Sequence, residues 1–418
     1  MESLAINNCL IVTQNSYREV FRGNILVEGS EIRYVGKDKC AADVTMDGSK
    51  LLAVPGFIDT HAHVAMSHLK GMIDDLDLEA FLNKTYDFDS KRTEQGIYNS
   101  ALLGIREMIS SGITCFADLY YSEDIIARAC KDSGIRANLA WNTLDMEYTT
   151  QNGDPVANAE RFISEHRNER LITPAIGVQG IYVASDETIQ RAFDISEKYG
   201  TVLHMHLSET RKEVYDFVKK TGKRPVEHLS EKNFLRPNML AAHSVWVTMR
   251  EVKMLSKGGV SISWNSVSNA KLASGGLPPV PEMMSNGVNV SLGTDSSASN
   301  NSLDIFQEMK FSAISMKNSR WDPKVISAQQ ILDMATVNGS RAIGDKSIGS
   351  LETGKKADIV FLDLSSPNMV PTMENNAVNN VVYSANPSCV RHVMIDGVFL
   401  KKDFSLINKI ETDGMNFV

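Results

Sequence analysis

Leu51 to His63, LLAVPGFIDTHAH, is an apolar run that ends in Asp-Thr-His-Ala-His. Side chains of an extended segment alternate in direction, so His61 and His63 leave it on the same face and offer two imidazoles to one point. That is half of a metal site. The chain has nine histidines among 418 residues and carries a second such pair, His204-Met205-His206. Chance would supply roughly 0.2 pairs of this spacing, so the pairs carry information.

Outside this stretch the composition is that of one large domain or two ordinary ones, 43% hydrophobic and 22% charged. A net charge of -8 and a pI near 5.7 argue against nucleic acid or an anionic membrane as partner, since either would want a basic face. Small molecules are the expected clients. The opening MESLAINNCLIVTQN has no basic n-region and no cleavage site, and no apolar run has membrane length, so a cytoplasmic location is expected. The cysteines Cys9, Cys40, Cys115, Cys130 and Cys389 are odd in number and scattered, which reads as reduced thiols.

Downstream of Leu51 to Ile58, β-branched apolar runs recur with polar loops and helix-like segments between them. They are Gly112 to Leu119, Ile135 to Asn142, Thr173 to Gly180, Thr201 to Leu207, Asn238 to Val245, Val260 to Ser266 and Val288 to Asp295. Helix signals fill the gaps. Thr93 caps a face of Ile97, Ala101, Ile105 and Met108, and Thr248 with Glu251 forms a capping box closed by Gly258. Eight strands, each apolar nearly throughout and alternating with helices, predict a (β/α)8 TIM-type barrel over 51–345. Short strands at 1–50 and 346–418 predict a small β-sandwich domain made from both termini. In such a barrel the chemistry gathers at the C-terminal strand ends, and unusual polar residues sit there: His61 and His63, Gln179, His206 with Glu209, His243, Asn265 and Asp295.

PGFIDTHAH, HMHLSET, AAHSV and SLGTDSSASNN together resemble the metal-dependent amidohydrolase superfamily, in the branch of methylthioadenosine/S-adenosylhomocysteine deaminases and triazine chlorohydrolases. The resemblance implies that His61, His63, His206 and Asp295 hold one divalent metal. Three neutral imidazoles and one carboxylate suit Zn²⁺ first and Fe²⁺ second. Two-metal relatives carry a bridging lysine on the fourth strand, where this chain reads TPAIGVQG, so one ion per chain is expected. By the same resemblance Asp295 accepts the proton of a water acidified by the metal, Glu209 protonates a ring nitrogen and then the leaving group, and His243 polarises the attacking water. His204 is expected to be a hydrogen-bonded core residue one layer deeper.

The implied activity is hydrolytic release of ammonia from an aminated heterocycle, an adenosine-type nucleoside first. Hydrolysis of another C–N or C–Cl bond, or a non-catalytic binding role, stays open as an alternative. The family's glutamate for the ribose hydroxyls falls near Asp89-Ser90, its arginine near Trp141 and its histidine near Gln179, and none of the three is retained. Phe81 is expected to flank the ring, with Trp141 stacking on it, and Gln179 and Glu209 bonding its edge. An anionic substrate tail would then lack a partner unless Arg161 or Arg211 substitutes. A homo-oligomer, dimer or higher, is expected from the relatives.

Overall fold

The computed structural model, which describes residues 3–76, 78–408 and 417, sorts its strands into two sheets. Eight are parallel and ordered as in the sequence: Phe57–Ala62, Ile113–Tyr120, Arg136–Thr143, Ile172–Val178, Leu203–Leu207, Met239–His243, Ser261–Trp264 and Asn289–Leu292. The ring closes where Ala62 bridges Asp295 and the Asp295 N–H donates to the His61 carbonyl at 2.8 Å. This is the predicted (β/α)8 barrel. Its strands are buried because helices cover the outside and side chains fill the inside. In the third strand Ala137, Leu139 and Trp141 join the outer core with Phe162, while Ala140 joins Leu119, Ala175 and Leu240 in the barrel interior.

The second sheet is mixed and nine-stranded. Ser3–Val12, Val20–Glu28, Glu31–Gly36, Val44–Asp47 and Leu51–Pro55 come from the front of the chain, and Ile359–Asp363, Val390–Ile395, Val398–Lys402 and Ser405–Leu406 from the back. Ile6, Ile11, Ile25, Phe361 and Met394 form its core. The two halves meet where Ile359–Asp363 runs antiparallel to Leu51–Pro55.

One expectation is corrected here. Leu51 to Ile58 is not a single barrel strand: Leu51–Pro55 belongs to the terminal sheet and the barrel begins at Phe57. The chain crosses between sheets at Gly56, where a Cβ would lie 2.0 Å from Thr114 Oγ1, so only glycine fits the close approach. Similarly, the helix Met249–Gly258 is ended by Gly259 at φ 69°, and Gly258 is its last residue.

The terminal sheet is fastened beneath the barrel. Arg136, which opens the third barrel strand, places Nε 2.9 Å from Asp358 Oδ2 and Nη2 3.1 Å from both Asp358 Oδ1 and Asp396 Oδ1, all of them buried. Such a buried set holds because every charge is paired and the fork is bidentate. The clamp is at the N-terminal end of the barrel, which leaves the opposite end for chemistry. Among the described residues no helix is long and apolar enough to cross a membrane, and all five cysteines are free.

Candidate active site

At the C-terminal ends of the first, fifth and eighth barrel strands, His61, His63, His206 and Asp295 converge. Hydrogen bonds fix which nitrogen each ring presents. His63 Nδ1 lies 2.6 Å from the Leu119 carbonyl and His206 Nδ1 2.8 Å from the Gln179 carbonyl. A carbonyl only accepts, so both Nδ1 atoms carry the proton and both Nε2 lone pairs are free. His61 Nδ1 is 2.9 Å from His204 Nε2, and its own Nε2 is buried without a partner.

The Nε2 atoms of His63 and His206 are 3.4 Å apart, and Asp295 Oδ1 lies 3.4 Å from His63 Nε2 and 3.8 Å from His61 Nε2. Ligand atoms about 2.0–2.1 Å from a tetrahedral Zn²⁺ stand about 3.3 Å from one another. The donor set therefore fits a divalent ion in both spacing and chemistry. Burial is the first cause that pushes the pKa values of His61, His63 and His206 down; for His61 and His206 the neighbouring imidazoles come next. All three are held neutral, the form that ligates. His243 also lies within ligand range of His61 and Asp295.

Backbone strain marks the same strand ends. Ser208, His243, Ser244 and Asp295 have φ of 49°, 73°, 49° and 62°, a left-handed conformation that non-glycine residues adopt at a cost and that is common at functional sites. Asp295 is steadied by Ser268 Oγ, which donates to Oδ2 at 2.5 Å, and by the Ser296 N–H, which donates to Oδ1 at 2.8 Å. Gly293 lets the eighth strand press against this cluster, since a Cβ there would lie 2.4 Å from Asn265 Oδ1 and 2.9 Å from His61 Cβ.

Glu209 follows His206 and Ser208 in a turn held by Glu213, whose carboxylate accepts from the Ser208 and Glu209 N–H groups at 2.8 Å each. The carboxyl of Glu209 lies 3.8 Å from His243 Nε2 and accepts from Ser274 Oγ at 3.4 Å. Burial, its largest influence, raises its pKa, partly offset by His243.

These groups form one end of a cavity of about 410 Å³, also lined by Phe81, Asp89, Asn142, Gln179 and Tyr182, a volume suited to a ligand of nucleoside size. Asp89 accepts from Tyr120 Oη at 2.6 Å. Among the described residues lining the cavity there is no lysine or arginine. Arg161, held by Asp124 and Glu165, and Arg211, over the Tyr215 ring, are both outside it. Gln179 Oε1 accepts from Asn142 Nδ2 at 2.5 Å, and its Nε2 donates to Tyr182 Oη at 3.0 Å.

Trp141 corrects an expectation. It does not line the cavity: its ring packs against Phe162 at 5.8 Å on the outer face of the barrel, and its Nε1 donates to Gln151 Oε1 at 2.8 Å. Strand alternation sends Asn142 inward and Trp141 out.

Residues 52–400 match the amidohydrolase family. The chain belongs to that family. This amidohydrolase is 35% identical to a 5′-deoxyadenosine deaminase from Methanosarcina mazei over 97% of its own length and 94% of that protein. It is 36% identical to a 5-methylthioadenosine/S-adenosylhomocysteine deaminase from Archaeoglobus fulgidus over 94% and 92% of the two chains. A zinc-bound adenosine deaminase from Xanthomonas campestris superposes with a TM-score of 0.94 at 28% identity, covering 99% of this amidohydrolase and 95% of that chain. An atrazine chlorohydrolase from Arthrobacter aurescens, at 21% identity and a TM-score of 0.89 over 97% and 96% of the two chains, shares the fold.

Several residues that support the amidohydrolase site were not singled out in the sequence. Asp118 Oδ1 accepts from the Val64 N–H at 2.8 Å, beside His63. Asp59 accepts from Thr294 Oγ1 at 2.5 Å and from the His61 N–H at 3.2 Å, tying the first strand to the eighth. Asn269 bonds to His243. A buried carboxylate beside a ligand strand was the available signal for Asp59 and Asp118; Asn269 had none.

Proposed function

We propose that this amidohydrolase is a hydrolytic deaminase of adenosine-type nucleosides whose 5′ substituent is uncharged, with one divalent ion per chain, Zn²⁺, held by His61, His63, His206 and Asp295. The observation that carries the reading is Glu209: a part-buried carboxyl with a raised pKa, next to the histidine cluster, in the wall of a nucleoside-sized cavity. Deamination of an aminopurine needs a ring nitrogen protonated, and a carboxyl that keeps its proton to higher pH serves that step. The names of the deaminase relatives agree.

When bound, the ion acidifies water at the edge of the ring. The rest falls to side chains. Glu209 gives its proton to the ring nitrogen, which draws electrons from the carbon under attack. Asp295 takes one proton from the attacking water and hands it to the departing amine, while Glu209, left ionised, takes the proton of the new hydroxyl as it becomes the carbonyl. A C–O bond forms, a C–N bond breaks, and ammonia leaves. His243 hydrogen-bonds the new oxygen. Phe81 flanks the ring, and Asp89, which lines the cavity, takes the ribose hydroxyls. With no lysine or arginine among the described residues of the cavity wall, an α-carboxylate on the substrate finds no cationic partner there.

The test is kcat/KM of the zinc-loaded protein for 5′-deoxyadenosine, methylthioadenosine, adenosine, S-adenosylhomocysteine and a chlorotriazine. The first three should exceed S-adenosylhomocysteine. A clear preference for S-adenosylhomocysteine would overturn the uncharged-tail reading, and turnover of the chlorotriazine alone would overturn the deaminase reading.

A further inference from the structure

The second feature of the site is that His243 has its Nδ1 side surrounded by two asparagine amides. Asn265 caps the short helix Ser266–Lys271, and Asn269 stands four residues on, so both reach the same side of that helix. Asn265 Nδ2 is 3.2 Å and Asn269 Nδ2 2.9 Å from His243 Nδ1. All three residues are buried, so water does not compete for these bonds.

The orientation of Asn265 is anchored from behind. Its Oδ1 accepts from Ser263 Oγ at 3.0 Å, and Ser263 Oγ is itself bonded to Thr60 Oγ1 at 2.8 Å. Turning the Asn265 amide over would take away the acceptor of the Ser263 hydroxyl and put an N–H donor in its place. Asn265 therefore presents N–H to the imidazole. An imidazole nitrogen met by an N–H donor has to be the one without a proton. If Asn269 alone were reversed to accept from a protonated Nδ1, Asn265 would oppose that proton with its own.

From this we infer that Asn265 and Asn269 are positioning residues that hold His243 as the Nε2–H tautomer, which makes it a hydrogen-bond donor into the site and neither a metal ligand nor a general base. The contrast with its neighbours is direct. His63 and His206 have Nδ1 on carbonyl oxygens, which leaves Nε2 bare; His243 has Nδ1 on amide donors, which leaves Nε2 protonated. Three similar imidazoles in contact are thus given opposite polarity by what stands behind them. Glu209, 3.8 Å from that Nε2, faces a donor, and proton removal from the attacking water is left to Asp295. This assignment of a role to His243 rests on the deaminase reading above.

The tautomer itself is measurable without turnover. Long-range ¹H–¹⁵N spectra of the zinc-loaded full chain, labelled at histidine and assigned by the cross-peaks lost in His243→Gln, should give a pyridine-type Nδ1 and a pyrrole-type Nε2 for His243. Asn269→Asp keeps the size of the side chain but replaces the donor with an acceptor. It should move the proton onto Nδ1, and lower kcat for 5′-deoxyadenosine by about 10²-fold or more, as other wrong-tautomer variants do, with KM within about twofold. A protonated Nδ1 in the parent protein overturns the inference, and so does an Asn269→Asp protein with an unchanged spectrum. Should that variant fail to fold, the parent spectrum still decides. A pyrrole-type Nε2 in a protein that deaminates nothing would leave the inference standing and bring down the proposed function alone.

Discussion

Glu209→Gln removes one proton from the site and little else. The carboxyl of Glu209 stands 3.8 Å from His243 Nε2 and 3.4 Å from Ser274 Oγ, and it is absent from the groups that could hold the ion, so metal content should match the parent. A positioned acid/base group contributes about 10²–10⁴ in rate, which corresponds to about 2.7–5.5 kcal/mol of transition-state stabilisation. The loss should appear in kcat, because glutamine keeps the size and hydrogen-bonding edge that hold the ring. The sign of the pH effect on stability follows from burial, which raises the Glu209 pKa. A raised carboxyl pKa gives stability that is present below the usual carboxylate range and is lost as pH rises through the raised value. Glutamine has no such loss, so the melting temperature of the variant minus that of the parent should increase with pH across that window. Ammonia release at matched zinc, elemental analysis and thermal melts at several pH values make the full assay. Zinc lost from the variant would mean a ligand has been taken for a proton donor. Turnover within about tenfold of the parent would refute the role outright.

Elemental analysis of the purified protein should return one divalent ion per chain; two would require a bridging group that the fourth strand does not offer. Trp141→Ala should leave KM within about twofold and instead cost roughly 3–5 kcal/mol in denaturant unfolding, because the ring is buried under the helix Pro155–His166. Asp89→Ala should raise KM for adenosine by about tenfold through lost hydrogen bonds to a charged group. It should also erase any preference for adenosine over 2′,3′-dideoxyadenosine, and a preference that survives would remove Asp89 from the ribose.

The barrel and the convergence of His61, His63, His206, Glu209, His243 and Asp295 were legible because two regularities coincide: an apolar run marks a strand covered on both faces, and polar residues stand only at one end of each. Orientation was harder. Trp141 was misread because aromatic character suggested stacking, although Ala137, Leu139 and Trp141 alternate with Asn138, Ala140 and Asn142, and that alternation points the tryptophan outward. The break at Gly56 was hidden because the run stays apolar as it leaves one sheet and enters another; Pro55-Gly56 was the only local sign. The asparagine pair behind His243 depends on a contact between the sixth strand and the helix after the seventh. Local pattern does not encode such a contact.

The strand Leu51–Pro55 sits just before the histidines of the first barrel strand and takes Ile359–Asp363 as its antiparallel neighbour. A ribosome delivers those two strands roughly 300 residues apart, so for most of its synthesis the nascent chain carries an apolar edge with no mate. His61 and His63 are therefore translated early, while the strand that leads into them is among the last to gain its partner. An mRNA cut short near its 3′ end would yield a product that has every catalytic side chain and lacks the partner of the strand that leads into the first of them.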